Sequence, residues 1–149
     1  LRAKRKCSAN YLIAHKDGEA FDIEAAPEDA DYKYPTRGIL VHANHFTSTR
    51  LNIKDTWKIR WPDTLIREHR AKRLLSRRYG KINLKIVQQL FRDHFNYPNS
   101  ICKHVDERDP EIEQEISAAS VIIDLNEKEM YVSAGPPCEN EYRAVALDV

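Results

Sequence analysis

Short segments with strand-like alternation lie on both sides of a longer stretch with helical spacing, and this order leaves few folds open to the chain. Three β-type segments come first, two helical segments follow, and three further β-type segments complete the sequence. Because strands and helices do not alternate one by one, the order predicts an α+β fold with mainly antiparallel strands and an αα-hairpin. The predicted strands are residues 10–15, 20–25, 38–42, 119–125, 130–133 and 142–147, and the predicted helices are residues 63–79 and 84–95.

The first two predicted strands should be antiparallel neighbours. Residues 16–19 (KDGE) contain an Asp-Gly pair, which is a strong hairpin signal between two β-prone segments. In the second strand apolar and acidic side chains alternate, so one face should be apolar and the other polar. Glu24 on the polar face is expected either to contact water or to have a polar partner. Residues 27–37 are polar and rich in turn formers, which predicts a surface loop.

Residues 38–46 (GILVHANHF) join a strongly apolar run to a group of polar side chains. Bulky and mostly β-branched residues in so short a run favour a strand that is buried on both faces. Asn44 follows this predicted strand, and an amide held in one rotamer by a rigid element suits a hydrogen-bond donor to an oxyanion. The other interpretation is that Asn44 caps a turn, since asparagine is a common turn residue.

Both predicted helices have recognisable ends. Asp63 offers an N-cap for the first helix, Gly80 a stop after it, and Asn83 an N-cap for the second. The first helix is strongly basic, with six cationic residues against one acidic residue: Arg67, Arg70, Lys72, Arg73, Arg77 and Arg78 against Glu68. The simpler interpretation is a solvated helix face with cations near the negative end of the helix dipole. The other interpretation is that the chain is a noncatalytic binding or orphan domain whose 67–78 helix binds an acidic partner.

The chain has 149 residues, a net charge of +1 and 42% hydrophobic residues. This length is common for one domain, so residues 1–149 are predicted to form a single domain. No apolar run approaches the roughly 20 residues of a membrane-spanning helix, and the balanced charge gives no general attraction to nucleic acid. Three widely spaced cysteines fit a reduced, cytoplasmic protein better than a disulfide framework. We therefore expect neither nucleic acid nor membrane as a partner.

Candidate metal ligands and nucleophile pairs give only weak signals. His42 and His45 are three residues apart, and such positions on a strand point to opposite faces, so we expect no metal site. Cys102 and His104 could share a face, as a Cys/His nucleophile pair requires. A small, packed cysteine is the simpler interpretation of Cys102.

Three motifs, taken in order, resemble the acyl-coenzyme A:6-aminopenicillanic acid acyltransferase (isopenicillin N acyltransferase) family of N-terminal-nucleophile (Ntn) hydrolases. The motifs are residues 41–46 (VHANHF), 96–102 (NYPNSIC) and 135–141 (GPPCENE). The similarity extends from about Ser8 to the end of the chain and also includes residues 18–21 (GEAF) with Glu24, and 61–63 (WPD) with Arg67. Each motif is modest, but the set in this order is more specific.

The resemblance implies a four-layer α-β-β-α sandwich, of which this chain would form a part. It also implies a cysteine, exposed at a new N-terminus by self-cleavage, that takes an acyl group from an amide or an acyl-CoA thioester and passes it to an amine or to water. The α-amine of such a cysteine has a pKa of about 7.7–8.0, so it can deprotonate its own thiol. Asn44 matches the oxyanion donor of the family, and the adjacent His45 and Phe46 are candidate substrate-binding residues. Ala43 replaces the usual threonine of the motif, which keeps the amide donor.

The matched residues correspond to the C-terminal part of the family, without the region that carries the nucleophilic cysteine. We therefore expect the parent protein to be the enzyme, and this chain alone to be inactive and to contain no nucleophile. The expected partners are a small-molecule acyl donor, an amine or water acceptor, and the missing N-terminal segment of the same protein. A homodimer is a further expectation, formed through apolar side chains exposed on the strand that begins at Gly38 or at Ala118. No cofactor is expected, although acyl-CoA would be a co-substrate.

Overall fold

The computed structural model describes residues 5–147, and its backbone contacts divide the chain into two compact units. The first unit ends at Glu68 and the second begins at His69, so the division falls inside one helix. The elements in chain order are β1 (Ala9–Ala14), β2 (Ala20–Ala25), β3 (Ala30–Lys33), α1 (Thr56–Arg60), α2 (Asp63–Ser76), α3 (Leu84–Phe91), a 3₁₀ turn (Glu111–Glu113), β4 (Ala119–Asp124), β5 (Glu129–Ala134) and β6 (Arg143–Ala146). Within residues 5–147, three α-helices and two antiparallel three-stranded sheets agree with the predicted α+β content. The four-layer sandwich and the single domain stay predictions.

The first unit contains an antiparallel sheet in the order β1-β2-β3. β1 and β2 form the predicted hairpin, in which Tyr11 pairs with Ile23. Gly18 has a φ of 95° in the turn, and the N–H of His15 donates to the carbonyl oxygen of Glu19 at 2.8 Å. The Asp-Gly signal therefore located this hairpin correctly, because its turn needs the left-handed conformation that glycine adopts readily.

The predicted strand at residues 38–42 is wrong, because the third strand of this sheet is β3 in the stretch predicted as a surface loop. Arg37 and Gly38 both have positive φ, 53° and 70°, and form a tight turn. Thr36 and Ile39 close this turn with N–H to carbonyl hydrogen bonds in both directions, at 2.9 and 3.1 Å. The backbone of residues 36–39 thus forms its hydrogen bonds within the turn. The apolar residues 39–41 are half-buried and lie outside the sheet.

β2 is buried on both faces, although its sequence alternates between apolar and acidic residues. Ile23 is 7% exposed, while Asp22 and Glu24 on the opposite face are 0% and 1% exposed. Buried carboxylates require polar or charged partners to offset their lost hydration. The acidic face of β2 is therefore part of a polar cluster inside the first unit.

α2 is shorter than the predicted helix at 63–79. Asp63 is its first helical residue instead of the N-cap, and the helix ends at Ser76. The N–H of Arg78 donates to the carbonyl oxygen of Leu75 at 2.9 Å, which tightens the chain into turns before Gly80, where φ is 71°. The predicted glycine stop is correct in kind, but the regular helix ends four residues before it.

α3 begins as predicted and ends early. The side-chain oxygen of Asn83 accepts a hydrogen bond from the N–H of Ile86 at 3.0 Å, which confirms the N-cap. The helix ends at Phe91 rather than at residue 95. The carboxylate of Asp93 accepts from the N–H of Phe95 at 3.1 Å, so a side chain takes the place of the next helical acceptor.

α1 is a short helix that was not among the predicted elements. The carboxylate of Asp55 accepts from the N–H of Trp57 at 3.0 Å and caps its first turn. None of the helices within residues 5–147 has both the length and the apolar character that crossing a bilayer requires.

The second unit contains an antiparallel sheet in the order β4-β5-β6, with each boundary within one residue of its prediction. The apolar run at 118–125 is typical of a central strand and predicts one here, but β5 is central and β4 is at the edge. This interpretation is wrong because the run is not enclosed: Val121 and Ile123 are 46% and 53% exposed. β4 thus presents the exposed apolar side chains that the sequence led us to expect on this strand.

Candidate functional site

A cavity of about 220 Å³ lies in the first unit, beside the polar residues that follow the apolar run. Its lining includes residues 42–46, Glu24 of β2, Trp57 of α1 and the stretch 8–10 at the start of β1. The three predicted site residues, Asn44, His45 and Phe46, therefore line the same cavity.

Asn44 is held by two hydrogen bonds that use different parts of the residue. Its backbone N–H donates to Oγ1 of Thr64 at 2.8 Å, and its side-chain Oδ1 accepts from Nη2 of Arg67 at 2.9 Å. Arg67 is fixed in turn by Asp63, whose Oδ2 accepts from Nε at 2.8 Å. Within residues 5–147, the Nδ2 group of Asn44 donates to no acceptor. The arrangement presents an oriented amide with its donor side available.

His45 is 4% exposed and bonds through both ring nitrogens. Nε2 lies 2.8 Å from Oε2 of Glu68, and Nδ1 lies 2.9 Å from Oγ1 of Thr64. A consistent assignment has Nε2–H donating to Glu68 and the Thr64 hydroxyl donating to Nδ1. Burial lowers the pKa of His45 against the opposing effect of the Glu68 charge, so the neutral ring is favoured. His45 thus fixes the backbone beside Asn44.

Glu24 organises the other side of the cavity. Its Oε1 accepts from the N–H and the hydroxyl of Thr47 at 2.7 and 2.8 Å, and its Oε2 accepts from the N–H of Ser48 at 2.7 Å. Nε2 of His42 lies 3.0 Å from Oε1. Burial raises the pKa of Glu24, but the hydrogen bonds from Thr47 and Ser48 and the charge of Lys33 outweigh it and leave the pKa below its usual value. This carboxylate fixes both ends of the segment that contains Asn44.

Lys33 supplies a positive charge to the buried carboxylates of β2. Its Nζ lies 3.5 Å from Oε1 of Glu24 and 3.8 Å from Oδ2 of Asp22, and it also donates to the hydroxyl of Thr47. Asp22, Glu24 and His42 offer ligand atoms within 4.8 Å of one another, a spacing that a metal ion could use. The ammonium group of Lys33 already contacts both carboxylates, so this cluster contains a cation of its own.

Phe46 is fixed by its backbone, because its N–H donates to Oδ2 of Asp55 at 2.7 Å. The other oxygen of this carboxylate caps α1, so one aspartate positions both Phe46 and Trp57. These two aromatic side chains line the cavity together with Asn44. An apolar part of a ligand could contact the rings while a polar group faces the amide.

No cysteine is among the described residues that line this cavity. Cys7 is exposed, and Cys102 is buried in the second unit with Sγ 3.7 Å from Nε2 of His104. Burial raises the pKa of the Cys102 thiol to about 11, which disfavours the nucleophilic thiolate. The thiol of Cys102 thus lies close to the His104 ring, but it is poorly suited to attack a carbonyl group.

The basic helix uses several of its charges within the protein. Arg70 donates to both oxygens of the Asp93 carboxylate at 2.6–3.1 Å, and these hydrogen bonds to Asp93 raise the pKa of Arg70. The guanidinium groups of Arg70 and Arg73 also lie 4.9 and 6.0 Å from the ring centre of Phe95. Arg67 is likewise paired with Asp63, so fewer cations of this helix are available to bind an acidic partner.

Thr64 and Glu68 are two residues that sequence reasoning did not connect with this site. They are four residues apart on α2, which places them on one face of the helix. This spacing was visible in the sequence, but nothing local showed that His45 would lie against that face.

Comparison with protein families gives a match that covers nearly the whole chain. Residues 2–139 match the model of the acyl-coenzyme A:6-aminopenicillanic acid acyl-transferase family. The matched residues include every side chain described above as lining the cavity. A search among curated proteins finds no significant match.

Proposed function

The chain belongs to the acyl-coenzyme A:6-aminopenicillanic acid acyl-transferase family, and from this premise we propose that it carries the oxyanion-stabilising part of an acyltransferase or amidohydrolase. The observation that supports this role best is the amide of Asn44, which lines a cavity with its oxygen bonded to Arg67 and its nitrogen available as a donor. A donor that is oriented before the reaction stabilises developing negative charge without reorganisation.

The proposed reaction needs a cysteine from outside these residues, since no cysteine is among the described residues lining the cavity. Its thiolate attacks the carbonyl carbon of an amide or of an acyl-CoA thioester, and the π electrons of the carbonyl move to its oxygen. Collapse of this oxyanion breaks the C–N or C–S bond, and the departing amine or thiol takes up a proton. An amine or water then attacks the acyl-cysteine, releases the product and restores the thiol.

In this scheme Asn44 is the catalytic residue of the chain, because Nδ2–H would donate to the carbonyl oxygen as it gains charge. Arg67 is a positioning residue that holds Oδ1 and so determines which side of the amide faces the ligand. Phe46, with Trp57, offers apolar contact for the acyl group or its carrier. His45 acts through the backbone, since both ring nitrogens are already bonded.

The experiment uses the complete protein that the gene encodes, with Asn44→Ala compared with the parent sequence. We expect turnover of acyl thioesters or penicillin-type amides to fall by roughly 10²–10³, the usual loss for one oxyanion donor, with a smaller change in KM. Mass spectrometry of the intact protein should show an acyl-cysteine intermediate in the parent protein. Asn126→Ala is the matched control, because Asn126 lies exposed in the β4–β5 turn of the second unit.

Two results would contradict the proposal. One is full turnover with alanine at position 44, which would remove Asn44 from the mechanism. The other is activity of the 149-residue chain alone that is lost on Cys7→Ala, which would place the nucleophile within this sequence. We expect the chain alone to cleave amides and thioesters no faster than background.

A further inference from the structure

The second unit brings four metal-binding side chains together from three separate stretches of the chain. His94 follows α3, Cys102 and His104 lie in the loop beyond it, and Cys138 lies in the turn after β5. One ligand atom from each of the four residues lies within 4.8 Å of all the others. Sequence reasoning paired only Cys102 with His104, and Cys138 is 34 residues beyond His104.

The distances centre on Nε2 of His104. This atom is 3.2 Å from Nε2 of His94, 3.3 Å from Sγ of Cys138 and 3.7 Å from Sγ of Cys102. For a tetrahedral zinc ion with bonds of about 2.0–2.1 Å to nitrogen and about 2.3 Å to sulfur, geometry places two nitrogens about 3.3 Å apart and nitrogen and sulfur about 3.5 Å apart. The three distances agree with the edges of such a tetrahedron.

Hydrogen bonding alone does not explain the cluster. Nε2 of a neutral imidazole either donates one proton or accepts one, yet three polar atoms lie within 3.7 Å of Nε2 of His104. Thiols are weak donors and weak acceptors, so they compensate poorly for this crowding. A cation among them would instead bind all four atoms through their lone pairs.

The surroundings orient the ligands. Nδ1 of His104 lies 3.5 Å from Oε1 of Glu139, and a carboxylate at the outer nitrogen is the usual partner of a histidine that binds metal through its other nitrogen. The N–H of Cys102 donates to the carbonyl oxygen of Asp93 at 3.1 Å, which connects two of the ligand stretches. Nε of Arg92 donates to the carbonyl oxygen of Pro137 at 2.7 Å, which anchors the third ligand stretch beside Cys138.

We propose that His94, Cys102, His104 and Cys138 bind one Zn²⁺ ion in a closed tetrahedral site that stabilises the second unit. Two sulfur and two nitrogen ligands form a set typical of structural zinc, and a full set of four leaves no position for substrate. The ion joins the end of α3, the following loop and the turn after β5. This role is separate from the acyl transfer proposed for the first unit, so either proposal can fail without the other.

The test starts with the 149-residue chain purified under reducing conditions and made metal-free with a chelator. Titration with Zn²⁺ against a chromophoric competitor should give one equivalent bound. Titration with Co²⁺ should give the thiolate-to-cobalt charge-transfer bands and the intense d–d bands of a tetrahedral S₂N₂ site. These two measurements need no variant, so they do not depend on whether a substituted chain folds.

Variants then identify the ligands. Cys138→Ser and His94→Ala remove exposed ligands, and each should lower Zn²⁺ affinity by at least about 100-fold and change the cobalt spectrum. Glu139→Gln should lower affinity by about 10-fold while leaving the cobalt spectrum tetrahedral, as expected for a group that orients a ligand. Cys7→Ser is the matched control, because Cys7 is an exposed cysteine outside the cluster, and it should bind Zn²⁺ like the parent chain.

The proposal is overturned if, in the titration against the competitor, the reduced chain takes up less than about a tenth of an equivalent of Zn²⁺. It is also overturned if the Co²⁺ spectrum lacks thiolate bands, or if Cys7→Ser weakens binding as much as Cys138→Ser does. Recovery of a Cys102–Cys138 disulfide that persists under reducing conditions would show instead that the two thiols pair with each other.

Discussion

Glu24 in the first unit and Cys102 in the second are both buried among other titratable side chains. They differ in whether the chain itself supplies a balancing charge. The Glu24 carboxylate accepts several hydrogen bonds and lies near the ammonium group of Lys33, so its charge is balanced within the chain. Around Cys102 the neighbours are two imidazoles and a second thiol, which can bind a metal ion but supply no fixed counter-charge. The contrast indicates that the first cluster maintains local structure, while the second is suited to take a cation from solution.

The largest expected effect tests the internal cation of the first cluster. Lys33→Met should destabilise the chain by about 3–5 kcal/mol in urea unfolding, because it leaves the buried Glu24 and Asp22 carboxylates without their positive partner. Adding Asp22→Asn to this variant should recover part of the loss, since neither Asp22 oxygen accepts a hydrogen bond within residues 5–147. Lys16→Met, at an exposed lysine, is the control. A loss below about 1 kcal/mol for Lys33→Met would show that hydrogen bonds alone hold the cluster.

The next effect concerns metal removal from the second cluster. With Zn²⁺ at 100 times its Kd, binding should stabilise the folded chain by about 2.7 kcal/mol, and a chelator should remove that amount. Hydrogen exchange should locate the change, with faster exchange at residues 94–104 on chelation and little change in β1 and β2. Equal loss of protection in both regions would contradict a site confined to the second unit.

A smaller effect tests whether Arg67 acts by orienting the Asn44 amide or only by its positive charge. Arg67→Met in the complete enzyme should lower kcat by about 10-fold, or about 1.4 kcal/mol, because the Asn44 amide loses the donor that fixes its oxygen. The unfolding midpoint should shift little, since Arg67 is partly exposed. Arg77→Met, on the same helical segment but beyond the end of α2, should leave kcat unchanged. Equal losses in the two variants would indicate a general effect of charge.

The smallest effect is the dependence of stability on pH. The pKa of His45 is lowered in the fold from 6.5, so the unfolded chain binds a proton more readily, and stability should begin to fall as the pH drops below about 6.5. The pKa of Glu24 is lowered from 4.5, which adds a further loss as the pH drops below about 4.5. His45→Gln should reduce the first loss and leave the second, as measured by urea unfolding at stepwise pH. Stability that rises on acidification through pH 6 would contradict the neutral assignment of His45.

Features set by adjacent residues were predictable from the sequence. The β1–β2 hairpin follows from an Asp-Gly turn, and the start of α3 follows from Asn83, since each needs only a few neighbouring residues. Asn44 was identified first from its place after a predicted strand, which the structure lacks, and then with His45 and Phe46 from the family resemblance; all three line one cavity. Their catalytic and substrate-binding roles stay proposals.

Features set by distant residues were not predictable. β3 forms where polar composition indicated a loop, and its flank is fixed by Arg50, whose guanidinium bonds to Asp29, to Asp31 and to the carbonyl oxygen of Ala30. The apolar composition of residues 38–42 indicated a strand, but strand formation also requires an available partner, and β2 already pairs with β1 and β3. The grouping of Cys138 with His94 likewise depends on tertiary contacts that no local pattern encodes.

The burial of β2 on both faces has a consequence for the gene as well as for the protein. Deleting one codon within Ala20–Ala25 would exchange the faces of the residues on one side of the deletion, so Ile23 or Glu24 would meet the wrong surroundings. The same deletion in residues 16–19 would change only an exposed turn, where length variation is more easily tolerated. Among natural variants of this gene, we therefore expect small in-frame insertions and deletions to accumulate in the turn and to be depleted from the strand that follows it.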